Sequence, residues 1–183
     1  MLAPGERLVA VLDTCVLAPM PLCDTLLRLA EEPALYTPKW SADILRELRS
    51  TLQRMAYAAA QADRRIAAMT RAFEDATIDE YEPLIGAMTH DPKDRHVLAA
   101  AVRCAAQVII TFNVEDFGPD SVKQHGLDVL TPDEFLVNQL RFGATDILEK
   151  LEAQATARGL ARDELFGRLE QSVPATVQLL RRA

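Results

Sequence analysis

Four acidic residues of this chain are candidates to act together as ligands of a cation: Asp13, Glu47, Asp94 and Asp116. Carboxylates crowded at one place repel one another, and the repulsion raises the pKa of at least one of them. A divalent cation removes this conflict. Mg²⁺ or Mn²⁺ is the expected ion, because both prefer oxygen ligands and no set of cysteines and histidines competes for it. Such a site suits phosphodiester hydrolysis, since a bound cation lowers the pKa of a water molecule and stabilises the developing charge on the phosphate.

Asp13 and Asp116 each follow a predicted strand. Residues 7–12 form a short apolar run that ends at Asp13, and residues 108–111 form a second run, with Asp116 in the loop beyond it. Apolar runs of this length are typical of buried strands. Because ligands of an open parallel sheet bind outside the carboxyl ends of its strands, we expect both carboxylates at that edge.

Glu47 and Asp94 lie near the starts of predicted helices. One helix is predicted over residues 41–72, with a break near residues 60–63, and Glu47 lies in its second turn. A second is predicted over residues 91–106, opened by the sequence Asp-Pro-Lys-Asp, whose second acid, Asp94, falls in the first turn. A helix that follows a parallel strand begins at the edge where the strand ends, so these two acids are also expected there.

The rest of the chain extends this alternation of helices and strands. We predict a helix over residues 21–32, a short strand over 34–37 that is closed by Pro38, a strand over 127–130 and a helix over 132–140. This order indicates an α/β fold, a three-layer α/β/α arrangement with a parallel central sheet of about four or five strands and helices on both faces.

The texture of the sequence changes beyond Phe142. Two helical stretches follow, at about residues 144–157 and 161–182, with no strand between them. The sequence therefore predicts a main domain over residues 1–140 and a small C-terminal helical appendage over residues 141–183.

Composition excludes several classes of protein. The chain of 183 residues is 49% hydrophobic, which is typical of a globular protein, and carries a net charge of −7, which is unfavourable for a simple nucleic-acid-binding module. A nuclease tolerates such a charge when its acids hold cations. No signal sequence or membrane-length apolar segment is apparent, and the three cysteines lack metal-ligand spacing, so we expect a cytoplasmic protein without a membrane partner. The cysteines are Cys15, Cys23 and Cys104.

Four motifs, in order, resemble those of the PIN-domain family. Residues 11–17 read Val-Leu-Asp-Thr-Cys-Val-Leu, residues 44–48 read Ile-Leu-Arg-Glu-Leu, residues 91–101 resemble Asp-Pro-x-Asp-x-x-Val-Leu-Ala-x-Ala, and residues 110–117 resemble the fourth motif. Each motif is weak alone, but the ordered set is specific, and the resemblance covers roughly residues 7–136. It implies a PIN-like nuclease fold for residues 1–140.

The resemblance further implies a VapC-like ribonuclease, usually the toxin of a bacterial toxin–antitoxin pair. RNA would be the substrate, Mg²⁺ or Mn²⁺ the cofactor and an antitoxin protein the partner, with a homodimer left open. Two positions depart from the family: Cys15 stands where Asn is usual, and Asn113 stands where many members have the fourth acid. Asp116, three residues later, is expected to take over that role, as in relatives that read Thr-x-Asn-x-x-Asp-Phe.

Several further residues have both a functional and a structural interpretation. Thr14 and Thr111 could orient water, phosphate or a carboxylate, or only satisfy the end of a strand. Asp91 is most simply a helix cap. The three histidines do not form a plausible ligand set and are interpreted as surface or loop residues: His90, His96 and His125.

Two other classes of function remain open at this stage. A phosphatase that uses an aspartate after the first strand usually needs a second acid two residues later, where this chain has Cys15, and no glycine-rich phosphate loop is present. The other alternative is a catalytically inactive PIN-fold module that only binds protein or RNA. Loss of metal-dependent RNA cleavage on Asp13→Asn would separate the ribonuclease from this module.

Overall fold

The centre of the structure, a computed structural model that describes residues 7–88 and 91–182, is a five-stranded sheet. The strand order is β3-β2-β1-β4-β5, and every neighbouring pair is parallel. The strands are β1 (Leu8–Leu12), β2 (Tyr36–Ser41), β3 (Thr77–Ile78), β4 (Val108–Ile110) and β5 (Asp128–Leu130).

Helices cover both faces of this sheet, which confirms the predicted three-layer α/β/α fold. The helices of the described residues are α1 (Thr14–Leu17), α2 (Met20–Ala30), α3 (Ala42–Arg54), α4 (Ala59–Ala72), α5 (Glu82–Ile85), α6 (Arg95–Arg103), α7 (Pro119–Lys123), α8 (Pro132–Ala157), α9 (Arg162–Leu169) and α10 (Pro174–Leu180). Short 3₁₀ helices occur at Glu74–Ala76 and Val114–Asp116. None of the helices seen in this part of the chain is long and apolar enough to cross a membrane.

The order of the strands reverses direction at β1. The chain moves from β1 outward to β2 and β3, and then returns to the other side of β1 to form β4 and β5. Val11, Leu12, Ile109 and Ile110 are completely buried, and the backbone N–H of Asp13 donates to the carbonyl of Ile110 over 3.1 Å. Such a reversal opens a crevice beyond the carboxyl ends of the two central strands.

Helix α3 begins where its sequence predicts. The Ser41 hydroxyl caps it by accepting a hydrogen bond from the Ile44 N–H over 3.2 Å. Ile44, Leu48 and Leu52 form the buried stripe that packs the helix on the sheet. The break expected near residues 60–63 lies earlier, because Ala56 adopts a left-handed backbone (φ 66°) and ends the helical path.

Two features of the strands differ from the prediction. β2 continues through Pro38 to Ser41 instead of ending at the proline. Proline is tolerated there because β3 pairs only with Trp40 and Ser41, so Pro38 has a neighbouring strand on one side alone. β3 was not predicted, since a strand of two residues carries no detectable alternation of apolar and polar side chains.

Helix α6 is shorter than predicted. It begins at Arg95, so Asp94 occupies the N-cap position instead of the first turn, and it ends at Arg103 instead of near residue 106. The left-handed backbone of Ala105 (φ 51°) turns the chain out of the helix and toward β4.

The C-terminal region is entirely helical. α8 passes from the predicted main domain into the predicted appendage, with a kink at Gly143 (φ −158°, ψ 52°). The single helical stretch predicted over 161–182 is two helices, α9 and α10, because the chain turns at Val173 before Pro174. The buried Gln154 side chain accepts a hydrogen bond from the Thr25 hydroxyl of α2 over 2.8 Å.

Candidate active site

A cleft of about 550 Å³ lies beyond the carboxyl ends of β1 and β4. Three of the four predicted acids, Asp13, Glu47 and Asp94, line it, together with Thr14 and Asn113. The acids come from three separate elements: the end of β1, the second turn of α3 and the N-cap of α6. Their convergence depends on the strand order, since all three elements meet at the edge where β1 and β4 end.

Asp13 is held tightly at the base of the cleft. Its side chain caps α1, where Oδ1 accepts the Thr14 N–H over 2.6 Å. Its Oδ2 accepts the hydroxyl of Thr111 over 2.7 Å, and only 5% of the residue is exposed. Both carboxylate oxygens therefore have fixed directions.

Thr111 and Cys15 extend this network to the loop after β4. Thr111 Oγ1 accepts the Asn113 N–H over 3.0 Å. The Cys15 sulfur lies 3.2 Å from Asp13 Oδ2 and accepts the Phe112 N–H over 3.2 Å. Burial, together with the negative charge of Asp13, raises the pKa of the Cys15 thiol to about 12. The thiol is therefore protonated at neutral pH and acts as a hydrogen-bonding group instead of a thiolate.

Glu47 has a partner on each carboxylate oxygen. Oε1 lies 3.1 Å from Nε2 of His96, and Oε2 accepts the Thr14 hydroxyl over 3.1 Å. The hydrogen bond with His96 is the main cause that holds the pKa of Glu47 below its usual value. About half of the Glu47 side chain is exposed to the cleft.

His96 is the site residue that the sequence interpretation missed. Its side chain is 11% exposed, so it is not the surface residue that was expected. Burial lowers the pKa of the ring, but the hydrogen bond with Glu47 and the negative charges of Glu47, Asp43 and Asp13 outweigh that effect and raise it. No sequence signal pointed to this pair, because Glu47 and His96 are 49 positions apart.

Asp94 is the acid of the cleft whose pKa is raised. Burial, followed by the negative charges of Asp13, Asp116 and Asp91, raises the pKa of Asp94 to about 6. A raised pKa in one of the clustered acids was expected from the sequence, and Asp94 is where it occurs.

Asn113 and Asp116, the two candidates for the fourth position of the site, lie in different places. Asn113 lines the cleft, whereas Asp116 lies beyond it, at the end of the 3₁₀ helix Val114–Asp116. The negative charge of Asp116 still reaches Asp94, since it contributes to the raised pKa of that residue. Asp116 is therefore a neighbour of the cleft and not part of its lining.

Asp91 has a local role at the start of α6. Its Oδ1 accepts the Lys93 N–H over 2.9 Å, and its carbonyl accepts the Asp94 N–H over 3.0 Å. These bonds form the turn that leads into α6, so Asp91 has a structural role before the helix instead of the cap that was expected, since Asp94 is the N-cap. The third histidine, His125, lies on an exposed loop after α7, while His90 lies outside the described residues.

The chemistry of the acid cluster fits a hard divalent cation. Within residues 7–88 and 91–182, no three His, Cys, Asp or Glu side chains lie close enough to form a metal site as they stand. Mg²⁺, however, is usually bound through one or two carboxylates, with water and substrate phosphate as the other ligands. Burial and the neighbouring negative charges both disfavour the ionised form of Asp94, and a cation bound beside it would stabilise that form.

Basic side chains line the outer part of the cleft. Arg46 and Arg54 come from α3, and Lys93 comes from the turn before α6. Arg46 forms an ion pair with Asp43, and Arg54 donates to the hydroxyl of Thr51 over 2.8 Å. The cleft thus has an acidic floor and basic walls, although the chain as a whole is acidic.

Comparison with known proteins identifies a family for more than half of the chain. A family model described as PIN domain matches residues 9–115. Over 60 residues the chain is 52% identical to the protein named "Putative ribonuclease VapC50" of Mycobacterium tuberculosis (strain ATCC 25618 / H37Rv). The aligned stretch is 33% of this chain and 36% of that protein, so the chain spans about a third of the curated relative it matches. No solved structure matches the chain.

Proposed function

The chain belongs to the PIN-domain family, and from this premise we propose that it is a metal-dependent ribonuclease that hydrolyses RNA phosphodiester bonds in the cleft. One observation carries the proposal. Asp13, Glu47 and Asp94 come from three separate elements, yet they line the same cleft, and burial together with the neighbouring negative charges raises the pKa of Asp94 to about 6.

In this proposal the cleft acids Asp13, Glu47 and Asp94 would hold Mg²⁺ or Mn²⁺, and the fourth predicted acid, Asp116, would act from outside the lining through its negative charge. The bound ion supplies an activated water and stabilises negative charge on the phosphate. One of the cleft carboxylates accepts the proton that the attacking water loses. Thr14 fixes Glu47 and Asp13 in position.

The other lining groups bind and orient the substrate. Lys93, Arg46 and Arg54 attract RNA phosphates, and a basic wall offsets the acidic character of the chain. Thr111 keeps Asp13 in its orientation and, through the Asn113 N–H, holds the loop beside it. Asp91 shapes the turn that brings Asp94 into the cleft and is not required for the chemistry.

We also propose that the chain is the toxin of a toxin–antitoxin pair. The support is the name of the relative and the family resemblance, together with the acidic floor of the cleft. A small antitoxin would insert an Arg or Lys side chain there, replace the charge of the metal and block RNA. Cytoplasmic location, a homodimer and the division into residues 1–140 and 141–183 remain predictions.

Substitution of Asp13 and Asp94 by asparagine tests the proposal, because asparagine keeps the shape of the side chain and removes its charge. With saturating Mn²⁺ and a labelled RNA, each variant should lose at least about tenfold of the cleavage rate. The two losses should not add, because both damage one site. The parent chain should lose its cleavage activity in EDTA and regain it when Mn²⁺ is added.

Asp91→Asn is the matched control, since the asparagine side-chain oxygen can accept the Lys93 N–H as aspartate does, and residue 91 is not part of the cleft lining. It should cleave RNA at nearly the parent rate. If Asp94→Asn is as active as the parent, the proposed site is wrong. Hydrolysis of a small phosphate monoester without RNA cleavage would favour a phosphatase, and no hydrolysis of either substrate would favour a binding module.

A further inference from the structure

His96 lies behind the cleft and reaches one of its acids from the side. It is on the first turn of α6, two residues after Asp94, and its ring is 11% exposed. Nε2 lies 3.1 Å from Oε1 of Glu47, on the neighbouring helix α3. The start of α6 thus supplies Asp94, an acid of the cleft, and also His96, which contacts a second acid, Glu47.

The contact with Glu47 determines which ring nitrogen of His96 carries the proton. Nδ1 is buried and has no hydrogen-bond partner among residues 7–88 and 91–182. A buried N–H without an acceptor would be costly, so the neutral ring keeps its proton on Nε2 and donates it to Glu47. The direction of this bond follows from the surroundings of the ring.

Glu47 needs such a contact more than Asp13 does. Asp13 is 5% exposed and receives hydrogen bonds on both oxygens, whereas about half of the longer Glu47 side chain is exposed. A glutamate side chain has several rotatable bonds, so fixing it in one rotamer costs conformational entropy. The Thr14 hydroxyl, its other partner, is shared with the carbonyl of Ile44. A second, buried donor is therefore required to hold one rotamer.

We propose that His96 is a positioning residue for the ribonuclease, which fixes the Glu47 carboxylate toward the cleft without touching substrate or metal. The inference rests on the proposed function. It assigns a role to a residue outside the four predicted acids, and it predicts that a neutral hydrogen-bond donor at position 96 is sufficient.

Two substitutions separate hydrogen bonding from packing. His96→Leu fills the space without a donor, and His96→Gln offers an amide N–H in place of Nε2. We expect His96→Leu to lower kcat for RNA cleavage by about tenfold to a hundredfold, as changes beside metal ligands do, with little change in KM. His96→Gln should recover most of kcat. His125→Leu is the control for removal of an imidazole, since His125 is exposed on the loop after α7.

A binding measurement tests the same role without catalysis. Mn²⁺ titration followed by electron paramagnetic resonance should show about tenfold weaker binding for His96→Leu and near-parental binding for His96→Gln. In a Glu47→Gln background, His96→Leu should add no further loss, because its effect passes through Glu47. Circular dichroism should show that each variant is folded at the assay temperature.

The outcomes distinguish the inference from the proposed function. A parent chain that neither cleaves RNA nor binds Mn²⁺ overturns both. An active parent whose His96→Leu variant keeps its kcat and Mn²⁺ affinity overturns the inference alone. Equal losses in His96→Leu and His96→Gln, or a full further loss in the Glu47→Gln background, assign His96 to packing and also overturn it.

Discussion

Asp94 is the residue at which the cost of the site is most visible. Its raised pKa, about 6, means that the folded chain binds this proton more tightly than the unfolded chain, where the value is near 3.8. Well below pH 3.8 the side chain is protonated in both states and carries no penalty. As pH rises toward 6 the ionised form accumulates, and the metal-free folded state loses stability.

Asp94→Asn should therefore stabilise the metal-free chain at neutral pH. Since Asp94 is partly exposed, solvent screens the repulsion, and we expect a gain of at most about 1 kcal/mol, or about 2–4 °C in Tm. Thermal unfolding in EDTA should show this gain at pH 7 to 8 and a much smaller gain near pH 4. Asp91→Asn serves as the control and should show a much smaller gain. A gain for Asp94→Asn that is equal at both pH values would indicate a cause other than charge.

At the residue scale, the sequence predicts acids whose positions are determined by the start or end of an element. Asp13, Glu47 and Asp94 are of this kind, and all three line the cleft. The Glu47–His96 contact could not be predicted, since it depends on how closely α3 and α6 approach one another. The exchange of Asp116 for Asn113 in the lining depends on the 3₁₀ turn after β4, which a loop sequence does not determine.

At the scale of elements, α3 combines packing and recognition. Its buried stripe of Ile44, Leu48 and Leu52 faces the sheet, while Arg46, Ser50 and Arg54 follow at four-residue intervals along the side that lines the cleft. Residues four apart lie on one side of a helix. This row of two arginines and a serine leads from the acidic floor toward the outer end of α3, a path that the phosphates of an RNA strand can follow.

Arg54→Gln should weaken RNA binding through loss of a phosphate contact. For single-stranded RNA, one contact fewer should reduce the slope of log affinity against log salt by about 0.7. Affinity is measured by fluorescence anisotropy in the Asp94→Asn background, because this variant cleaves the RNA slowly during the titration. The matched control is Arg49→Gln, since Arg49 is on the same helix but pairs with Asp63 of α4 outside the cleft lining. Equal slopes for the two variants would contradict the path along α3.

The helices and strands that the sequence predicted are those with strong local signals. Ser41 as a cap and the apolar stripe of α3 were sufficient to locate that helix, and the apolar runs located β1 and β4. β3 and the passage of β2 through Pro38 were not predicted, because both depend on which strands are neighbours in the sheet. Local patterns therefore predicted the layers, while strand pairing determined where several elements end.

At the scale of the whole molecule, polar contacts of side chains fix the C-terminal helices, and the contact between Thr25 and Gln154 is buried. Gln154 of α8 accepts the Thr25 hydroxyl over 2.8 Å and donates to the carbonyl of Pro21 over 3.0 Å. Asp133 accepts the N–H groups of Ala175 and Thr176 at the start of α10. Unpaired groups at such positions would be costly, so these contacts fix how the last helices pack.

Cation binding should stabilise the entire chain, because the acids are gathered only when the chain is folded. At a free Mn²⁺ concentration one hundred times Kd, one site adds about 2.7 kcal/mol to the free energy of unfolding, or about 5–10 °C in Tm.

Asp94→Asn changes this balance in two opposite ways, since it relieves repulsion in EDTA and removes a ligand when Mn²⁺ is present. The Tm of Asp94→Asn should therefore be higher than that of the parent in EDTA and lower in saturating Mn²⁺. Asp91→Asn should follow the parent in both conditions, and NaCl at matched ionic strength corrects for screening. A parent Tm that does not respond to millimolar Mn²⁺ would contradict cation binding in the cleft. If the Tm of Asp94→Asn stays above that of the parent at every Mn²⁺ concentration, Asp94 is not a ligand.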